Sequence, residues 1–530
     1  MRSALLLAVP CALLAGAMAF SCGGSNGGGS GFGDGGSGSG GGSGGGDDAT
    51  SSGGDDGACG VIGCGGDDAT NVGCQGLQCQ WTPCSSTGKP ETQLTGTVYD
   101  PAGNLPLYDV YVYVPNTQPL PITAGGPYGC SPCEAPATGS PIIGRLTKAD
   151  GTFDIQHATG DQWGVPAGDN IPLVIQVGKW RKQLVIPHID ACTTVNLNTV
   201  FNGGTGKARQ LRLPAKSSEG DMPLMAFTSG CDPAECFLRN IGIDDSEFVA
   251  PNSPVPPPWK AGQQPTPGAG HVQFFTAWDG TAGSIPASAV TGGNTPAATY
   301  GWWGTSANLL KYDIVFNACE CNPNDRGGAS YGAMHGFLNG GGRLFTTHYY
   351  YNWFAPPTGP VDFQKVVAWN PGGAQSFGTY FVDTSFPKGQ AYGDWLVNVG
   401  VGTKVGNGVS VPLVDLRNDI DGSGPPTFPG STRWIYDANG VGGNPYGTDY
   451  MSFNTPIGTP VASQCGRAVF SDVHLSGVSN DGTFPAECTN PNIDSPPGHA
   501  GNEKALEFLF FDLSSCVQDD TKPPPPPPPQ

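Results

Sequence analysis

Tyr312-Asp-Ile-Val-Phe-Asn317 and Arg343-Leu-Phe-Thr-Thr-His348 are two short apolar runs on either side of a helix-forming segment at Met334–Leu338. Runs of this length predict strands that are buried on both faces, and the glycines Gly340–Gly342 end the helix between them. A strand, a helix and a second strand predict a parallel pair. The same alternation continues through residues 221–517. We therefore predict an α/β domain there, with a flavodoxin-like parallel sheet that helices cover on both faces.

Three passages of this region resemble the class I glutamine amidotransferase-like superfamily, in particular its trehalose-utilisation (ThuA-like) branch. They are YDIVFNACE at 312–320, FLNGGGRLFTTH at 337–348 and CGRAVFSDVH at 465–474. With DPAECFLRNIGIDDSEF at 232–248 and EKALEFLFFDLSSCV at 503–517, the chain also resembles a group of myxobacterial-type lipoproteins. The resemblance implies an architecture more than an activity.

The amidotransferase resemblance implies three catalytic groups: a cysteine on a strand-to-helix turn, a histidine that activates it, and a carboxylate two residues after that histidine. In this chain the turn begins at His348 without a cysteine, and Ser476 follows His474 where the carboxylate belongs. We predict a degenerate domain that is not an active amidotransferase. Cys319 lies one strand earlier, and because Cys321 is its near neighbour in an exported chain, we expect a disulfide there.

Two histidines remain as candidate site residues. His348 and His474 both follow predicted strands, at the edge where open α/β sheets bind ligands. Asp472 precedes His474 by two residues and shares its face of the strand. The other candidates are the aromatic side chains that follow His348, namely Tyr349, Tyr350, Tyr351 and Trp353.

Three interpretations of these residues stay open. Two histidines and a carboxylate, here His348, His474 and Asp472, can hold Zn²⁺ or Fe²⁺. Aromatic rings next to polar groups also suit stacking on a sugar. The histidines can equally be hydrogen-bonded structural residues. The sequence identifies no cofactor.

Short strands with turn residues between them precede the α/β domain, at residues 91–214. Thr95–Tyr99 leads into a turn at Asp100–Gly103, Val110–Val114 is β-branched and aromatic, and Gly178-Lys179 separates two more strands. The pattern predicts a β-sandwich. Its motifs GTVxDPxG, VxVxV and TxADGxF resemble the carboxypeptidase regulatory-like domain. That resemblance implies a prealbumin-like sandwich with an accessory role, often grouped with carbohydrate-binding-like folds.

The N-terminus indicates export. A positive start and the apolar segment Ala4–Met18 are typical of a secretory signal peptide, predicted at residues 1–21. Cys22 resembles the lipidated cysteine of a bacterial lipobox, with Ala19 where leucine is usual; an ordinary signal peptide is the alternative. Residues 23 to about 73 are rich in Gly, Ser and Asp, and they have too little apolar surface to fold, which predicts a disordered tether. With the cysteine cluster that follows, we assign the tether region to residues 22–90.

Composition limits the partners and the redox state. A formal charge of −20 argues against nucleic acid, whose phosphates need a basic surface. Of seventeen cysteines, Cys11 leaves with the signal peptide and Cys22 takes the lipid, and most of the remaining fifteen are expected in disulfides. Zinc binding by the CxxC of Cys130 and Cys133 is the alternative. Residues 518–530 predict a stiff polyproline tail.

Together these features predict a lipid-anchored, extracytoplasmic protein of the outer membrane or cell surface. We expect it to be non-catalytic and to present a ligand-binding module, with a glycan or another cell-wall component as the expected ligand. The alternative is a metal-dependent hydrolase or sugar-modifying enzyme that uses His348, Asp472 and His474.

Overall fold

The computed structural model describes residues 73–126, 130–133, 135–201, 209–230, 232–253, 255, 263–276, 302–320, 322–355, 360–373, 379–425, 427–438, 447–475, 484–485, 488 and 499–530. The predicted signal peptide, Cys22 and the tether up to residue 72 lie outside the described residues, as do Cys321 and Ser476. Within the described ranges, no helix has the length and apolar character needed to cross a membrane.

The first part of the described chain consists of two small sheets. Their strands are β1 (Gln93–Thr97), β2 (Tyr111–Pro115), β3 (Pro141–Leu146), β4 (Thr152–Gln156), β5 (Gly168–Val177), β6 (Trp180–Ile189) and β7 (Thr194–Asn196), followed by the short helix α1 (Leu197–Phe201). One sheet has the order β4-β1-β7 and the other β3-β2-β5-β6. Leu94 and Phe153 of the first share an apolar core with Val112 and Ile175 of the second. The predicted sandwich-like arrangement is confirmed.

Strands and helices alternate in the second part. The elements are β8 (Met225–Ser229), α2 (Ala234–Asn240), β9 (Phe248–Val249), β10 (Val272–Thr276), α3 (Ser306–Leu309), β11 (Ile314–Asn317), α4 (Gly327–Asn339), β12 (Arg343–Thr347), β13 (Val367–Gly373), β14 (Tyr380–Val382), α5 (Pro387–Asn398), β15 (Thr403–Val405), β16 (Gly408–Val411), β17 (Asn418–Ser423), β18 (Ser431–Asp437), β19 (Gly447–Thr455), β20 (Gly466–Ser471) and α6 (His499–Ser514). Helices are few, and the mixed, sheet-rich architecture agrees with the prediction in outline.

One large sheet organises this second part. Its order in the described residues is β15-β16-β14-β18-β19-β20-β12-β11-β8-β10-β9, and β13 pairs separately with β17. The strands from β20 to β9 run parallel to their neighbours. The pairs from β20 to β15 are antiparallel. Parallel neighbours place their carboxyl ends at one edge of the sheet, so the residues that follow these strands lie near one another.

Both faces of the parallel strands are covered. On β11, Ile314 and Phe316 pack in the cluster that contains Phe510 of α6. Val315 points the other way and packs with Phe337 of α4. Successive side chains of a strand point to opposite faces of the sheet. Because both faces of β11 are covered, its sequence is a continuous apolar run.

Helix α6 packs against both parts of the chain. The ring of Phe510 lies 6.2 Å from that of Phe316 in β11, and the ring of Phe511 lies 5.9 Å from that of Trp180 in β6. Gly178 allows this close approach, because a Cβ there would lie 1.6 Å from the carbonyl oxygen of Ser514. The apolar side chains of α6 are therefore shared between the sheet and the sandwich.

Disulfides fasten segments that are distant in sequence. The described bridges are Cys74–Cys79, Cys84–Cys192, Cys130–Cys465, Cys133–Cys516 and Cys236–Cys488. The disulfide prediction is confirmed for these cysteines. The zinc alternative is wrong for Cys130 and Cys133, since each is bonded to a different distant partner. The Cys84–Cys192 bridge also ties the last residues of the predicted tether to the sandwich.

A buried ion cluster joins α5, β20, α6 and the start of the C-terminal tail. Arg467 lies 2.9 Å from carboxylate oxygens of both Asp512 and Asp520, and the Nζ atom of Lys388 lies 3.4 Å from Asp520. All four side chains are buried. Burial alone would raise the pKa of Asp512, but Arg467 and Lys388 lower it below its usual value.

The tail continues along the sandwich. The backbone N–H of Ala137 donates to the carbonyl of Pro528 (3.0 Å), and the N–H of Gln530 donates to the carbonyl of Ala137 (2.8 Å). Most of the proline side chains between residues 523 and 529 remain exposed. The predicted extended tail thus lies against the sandwich through backbone contacts.

Arg467→Met should destabilise the fold by about 3–5 kcal/mol, because it leaves the carboxylates of Asp512 and Asp520 buried without their main partner. Guanidinium unfolding of the oxidised chain measures this. The control Lys404→Met removes an exposed charge 3.8 Å from Asp394 and should change the free energy of unfolding by less than about 0.5 kcal/mol. Equal losses in the two variants would contradict a stabilising role for the cluster.

Candidate functional site

The candidate site lies at the carboxyl ends of three adjacent parallel strands. Cys319 follows β11 by two residues, His348 directly follows β12, and His474 comes three residues after β20. The register pairs Asn317 with Thr346 and Thr347 with Ser471, so the three strand ends are level. Residues that are far apart in the sequence therefore meet at one edge of the sheet.

His348 begins a turn with unusual backbone geometry. Its φ of +49° is in the left-handed region, and it starts a 3₁₀ helix at His348–Trp353. A non-glycine residue in this conformation costs on the order of 1–3 kcal/mol, so the surrounding structure must hold it. This is the strand-to-helix turn where the amidotransferase resemblance implies a cysteine.

A buried hydrogen-bond network holds the turn in place. The Nδ2 atom of Asn317 donates to Oγ1 of Thr228 (2.9 Å), and Trp353 Nε1 donates to Oδ1 of Asn317 (2.9 Å). The hydroxyl of Tyr350 also lies 3.2 Å from Thr228 Oγ1. These bonds fix the turn to β8 and β11 at once.

The aromatic residues of the turn surround a buried cation. The guanidinium carbon of Arg326 lies 4.6 Å from the ring centres of both Tyr350 and Trp353, and Arg326 forms an ion pair with Glu320. Tyr350 and Trp353 are 0% and 1% exposed. Among the predicted aromatic candidates they belong to the core, whereas Tyr349 is half-buried next to His348.

Cys319, His348 and His474 form one cluster. The Sγ atom of Cys319 lies 3.2 Å from Nδ1 of His348, and the two imidazole rings are 4.0 Å apart at an angle of 83°. One ligand atom from each residue lies within 4.8 Å of the other two. Cys319 and His348 are buried and His474 is half-buried, so the side of the cluster that carries His474 is its more open side.

The His348 ring is neutral in this environment. Burial lowers its pKa well below 6.5, and the positive charges of His474 and Arg417 act in the same direction. A neutral imidazole has a lone pair available for a metal ion or a proton.

Backbone contacts position the segment that carries His474. Its N–H donates to the carbonyl of Asp415 (3.0 Å), and its own carbonyl accepts from Nδ2 of Asn502 (2.7 Å). The next N–H, of Leu475, donates to Oδ2 of Asp232 (2.7 Å).

Asp472 takes part in a different contact from the two histidines. Its Oδ2 accepts the N–H of Asp419 (2.6 Å), and Asp419 in turn forms a two-pronged pair with Arg417 at 2.9 and 3.1 Å. Burial raises the pKa of Asp472 well above its usual value, and the nearby Asp419 carboxylate raises it further. Burial and the Asp419 carboxylate thus favour the protonated form of Asp472. Its bond to Asp419 supports the Arg417 segment, and the Arg417 guanidinium stacks on Tyr349.

Sequence reasoning missed Cys319. The expectation of a disulfide is wrong, since this buried cysteine keeps its thiol and contacts His348. The signal that could have found it is its position after a buried strand. Parallel neighbours end at the same edge, so the residue after β11 belongs with those after β12 and β20.

No protein-family model matches the chain, and no curated protein matches it significantly. The family resemblances drawn from the motifs therefore stay predictions.

His348 should remain neutral at pH 6, because burial disfavours its protonated form. Carbon–proton NMR spectra of ¹³C-histidine-labelled protein should show its ring signals unchanged between pH 8 and 6. Exposed His188 is the internal control: hydrogen bonds to Asp190 and Asp169 raise its pKa above 6.5, so its signals should move in that range. A His348 midpoint at or above 6.5 would contradict the proposed environment.

Asp472→Asn should lower the free energy of unfolding by less than about 1 kcal/mol at pH 7. The asparagine amide oxygen can still accept the N–H of Asp419, and the neutral amide replaces a protonated carboxyl. Wild-type Asp472 keeps a proton that the unfolded chain releases above about pH 4, so this group lowers wild-type stability as pH rises through that range. Urea unfolding should therefore show that the free energy of unfolding of the variant, relative to that of the wild type, increases as the pH rises from 4 to 8.

Asp419→Asn is the matched control, because it removes the charge that pairs with Arg417. It should be the more destabilising of the two substitutions. The reverse order would show that Asp472 is ionised in the native state.

Proposed function

We propose that this chain is a lipid-anchored, extracytoplasmic envelope protein whose α/β part binds one transition-metal ion through Cys319, His348 and His474. The observation that supports this most directly is the cluster of one thiol and two imidazoles within 4.8 Å of one another. The lipid anchor at Cys22 and the location at the outer membrane or cell surface rest on the N-terminal sequence.

The strand order supports a flavodoxin-like assignment for the parallel strands. If the two-residue edge strand β9 is set aside, β8, β10, β11, β12 and β20 are parallel strands 1 to 5 in chain order. Their spatial order β10-β8-β11-β12-β20 is then 2-1-3-4-5, as in flavodoxin-like sheets. The order reverses between β8 and β11, and ligands bind beyond the carboxyl ends near such a reversal. Cys319 follows β11. The sandwich before it is, on the motif resemblance, a carboxypeptidase regulatory-like accessory domain.

The donor set favours Zn²⁺. A thiolate and two imidazoles are ligands that zinc prefers, with bonds of about 2.3 Å to sulfur and about 2.0–2.1 Å to nitrogen. In a tetrahedral site such bonds place ligand atoms roughly 3.3–3.8 Å apart. The Sγ–Nδ1 distance of 3.2 Å is already close to this range. Small rotations of the half-buried His474 would complete the geometry.

A metal-dependent hydrolase or sugar-modifying enzyme is the second candidate. Three protein ligands leave the fourth position of a tetrahedral ion open, which is the arrangement of catalytic rather than structural zinc sites. His474 is on the open side of the cluster. Asp472, whose carboxylate accepts the N–H of Asp419, would support the Arg417 segment and would not act as a base.

Stacking of a glycan at this site has less support. The rings of Tyr350 and Trp353 are enclosed around Arg326, and the ring of Tyr349 beside His348 is stacked by the Arg417 guanidinium. A glycan or cell-wall ligand elsewhere on the chain stays a prediction.

Titration of the oxidised, metal-stripped chain with Co²⁺ tests the metal proposal. One equivalent should give the visible bands of tetrahedral Co²⁺ and a sulfur-to-metal charge-transfer band. Cys319→Ser should abolish that band, and His474→Ala should weaken affinity by more than the roughly 10–100-fold that loss of an outer contact costs. The same bands should form in Asp472→Asn.

His335→Ala is the control, because His335 is a partly exposed histidine that pairs with Asp362 (2.8 Å) away from the cluster. It should leave affinity unchanged. Absence of the charge-transfer band in the wild type, or equal losses in His335→Ala and His474→Ala, would overturn the proposal.

A further inference from the structure

A second candidate site lies at the opposite edge of the large sheet. Asn454 of β19 pairs with Arg467 and Thr455 pairs with Gly466, at the amino-terminal start of β20. His474 comes after the other end of β20. A six-residue strand rises about 20 Å, so the two places are well separated.

This site is a groove of about 610 Å³. Its walls come from the turn before β18, the connection between β19 and β20, the residues before α5, and the tail at Gln518–Thr521. Pockets of roughly 300–1,000 Å³ are typical of small-molecule sites. We call it the tail groove, since residues of the C-terminal tail form one side of it.

The charges in the tail groove are paired within the protein. Each charged side chain that lines it among the described residues has a partner of opposite sign. The pairs are Asp383–Arg433 at 2.8 Å, Asp520–Arg467 at 2.9 Å and Asp519–Lys522 at 3.3 Å. The groove therefore offers hydrogen-bonding groups without a dominant charge, which disfavours strongly ionic ligands.

One hydrogen-bond acceptor of the groove is unused. Asn454 donates through Nδ2 to the carbonyl of Gln518 (3.1 Å), whereas its buried Oδ1 has no partner in the described part of the chain. An unsatisfied buried acceptor costs about 1–3 kcal/mol, so a small shift of the Asn454 amide that let Oδ1 accept a ligand hydroxyl would be favourable.

The groove also has a fixed apolar side. Phe386 packs edge-on against Trp434 with ring centres 5.2 Å apart, and Pro387, Pro425 and Val461 lie on the same lining. An apolar side next to hydroxyls, amides and paired charges matches the two kinds of surface on a sugar ring, its C–H face and its hydroxyl edge.

We propose that the tail groove binds a neutral, polyhydroxylated ligand, a short oligosaccharide. The paired charges, the unused acceptor of Asn454 and the apolar side all favour this class over anions, cations and acyl chains. The site is separate from the metal cluster and does not depend on it.

Calorimetric titration of the full oxidised chain with cellotriose, maltotriose and tri-N-acetylchitotriose, each to about 10 mM, tests the proposal. Trigalacturonate is the charged comparison. At least one neutral probe should bind with one-to-one stoichiometry, and trigalacturonate should bind more weakly. Asn454→Leu should weaken binding about fivefold, as expected for one lost uncharged hydrogen bond.

Val461→Trp tests the location independently of Asn454, because it fills the groove from an exposed position. It should weaken binding more than about tenfold, a loss equivalent to 1.4 kcal/mol. Val405→Trp, at an exposed valine of β15 outside the groove, should leave the affinity within about twofold, as should His474→Ala at the metal cluster. No saturable binding of any neutral probe, tighter binding of trigalacturonate, or equal effects of the two tryptophan variants would overturn the proposal.

Discussion

Parallel hydrogen bonding between β11, β12 and β20 is the constraint on which the candidate site depends. Because the strands run in the same direction and are level at their ends, the residues that follow them share one edge. Cys319, His348 and His474 meet there although they are far apart in sequence. In an antiparallel arrangement the ends of neighbouring strands would lie at opposite edges, and the same residues would not converge. Covering helices on both faces make this arrangement stable, since each strand buries alternate side chains in two cores.

The left-handed conformation of His348 is stabilised by the buried hydrogen-bond network around the turn. A left-handed residue without glycine's freedom is unfavourable on its own. The bonds among Thr228, Asn317 and Trp353 tie the turn to two strands, and Arg326 fills the space between the turn and Glu320. Arg326 and Glu320 are buried away from water, and an unpaired charge there would be costly, so the two side chains must stay paired. The cluster is thereby held in position before any ligand arrives, which reduces the entropy that binding would otherwise cost.

Short apolar runs bounded by turn residues were enough to place β11 and β12, and the glycines Gly340–Gly342 were enough to place the end of α4. The apolar runs also placed His348 and His474 at strand ends. Other features depend on long-range pairing that a single sequence does not encode. The partners of Cys130 and Cys133 lie more than 300 residues away. Cys319 was misread because two nearby cysteines suggest a disulfide as readily as a site. Strand alternation predicted that Asp472 shares the face of His474, but β20 ends at Ser471 and the Asp472 carboxylate accepts from Asp419. The tail groove is built from turns that have no periodicity.

Strand β20 connects the two proposed sites, but its length and the pairing of its charges keep the two sites independent. Arg467, at the start of β20, holds Asp520 and with it the wall of the tail groove, while His474 follows the end of β20. A separation of about 20 Å is roughly twice the distance over which salt screens charges at physiological ionic strength. The Arg467 charge is neutralised by Asp512 and Asp520, so it contributes little field at the far edge. Strand β20 is close-packed between its neighbours, and hydrogen bonds and ion pairs fix both of its ends, so one end does not move independently of the other. In the described part of the chain, β20 therefore offers no two-state element through which binding at one edge would change the other.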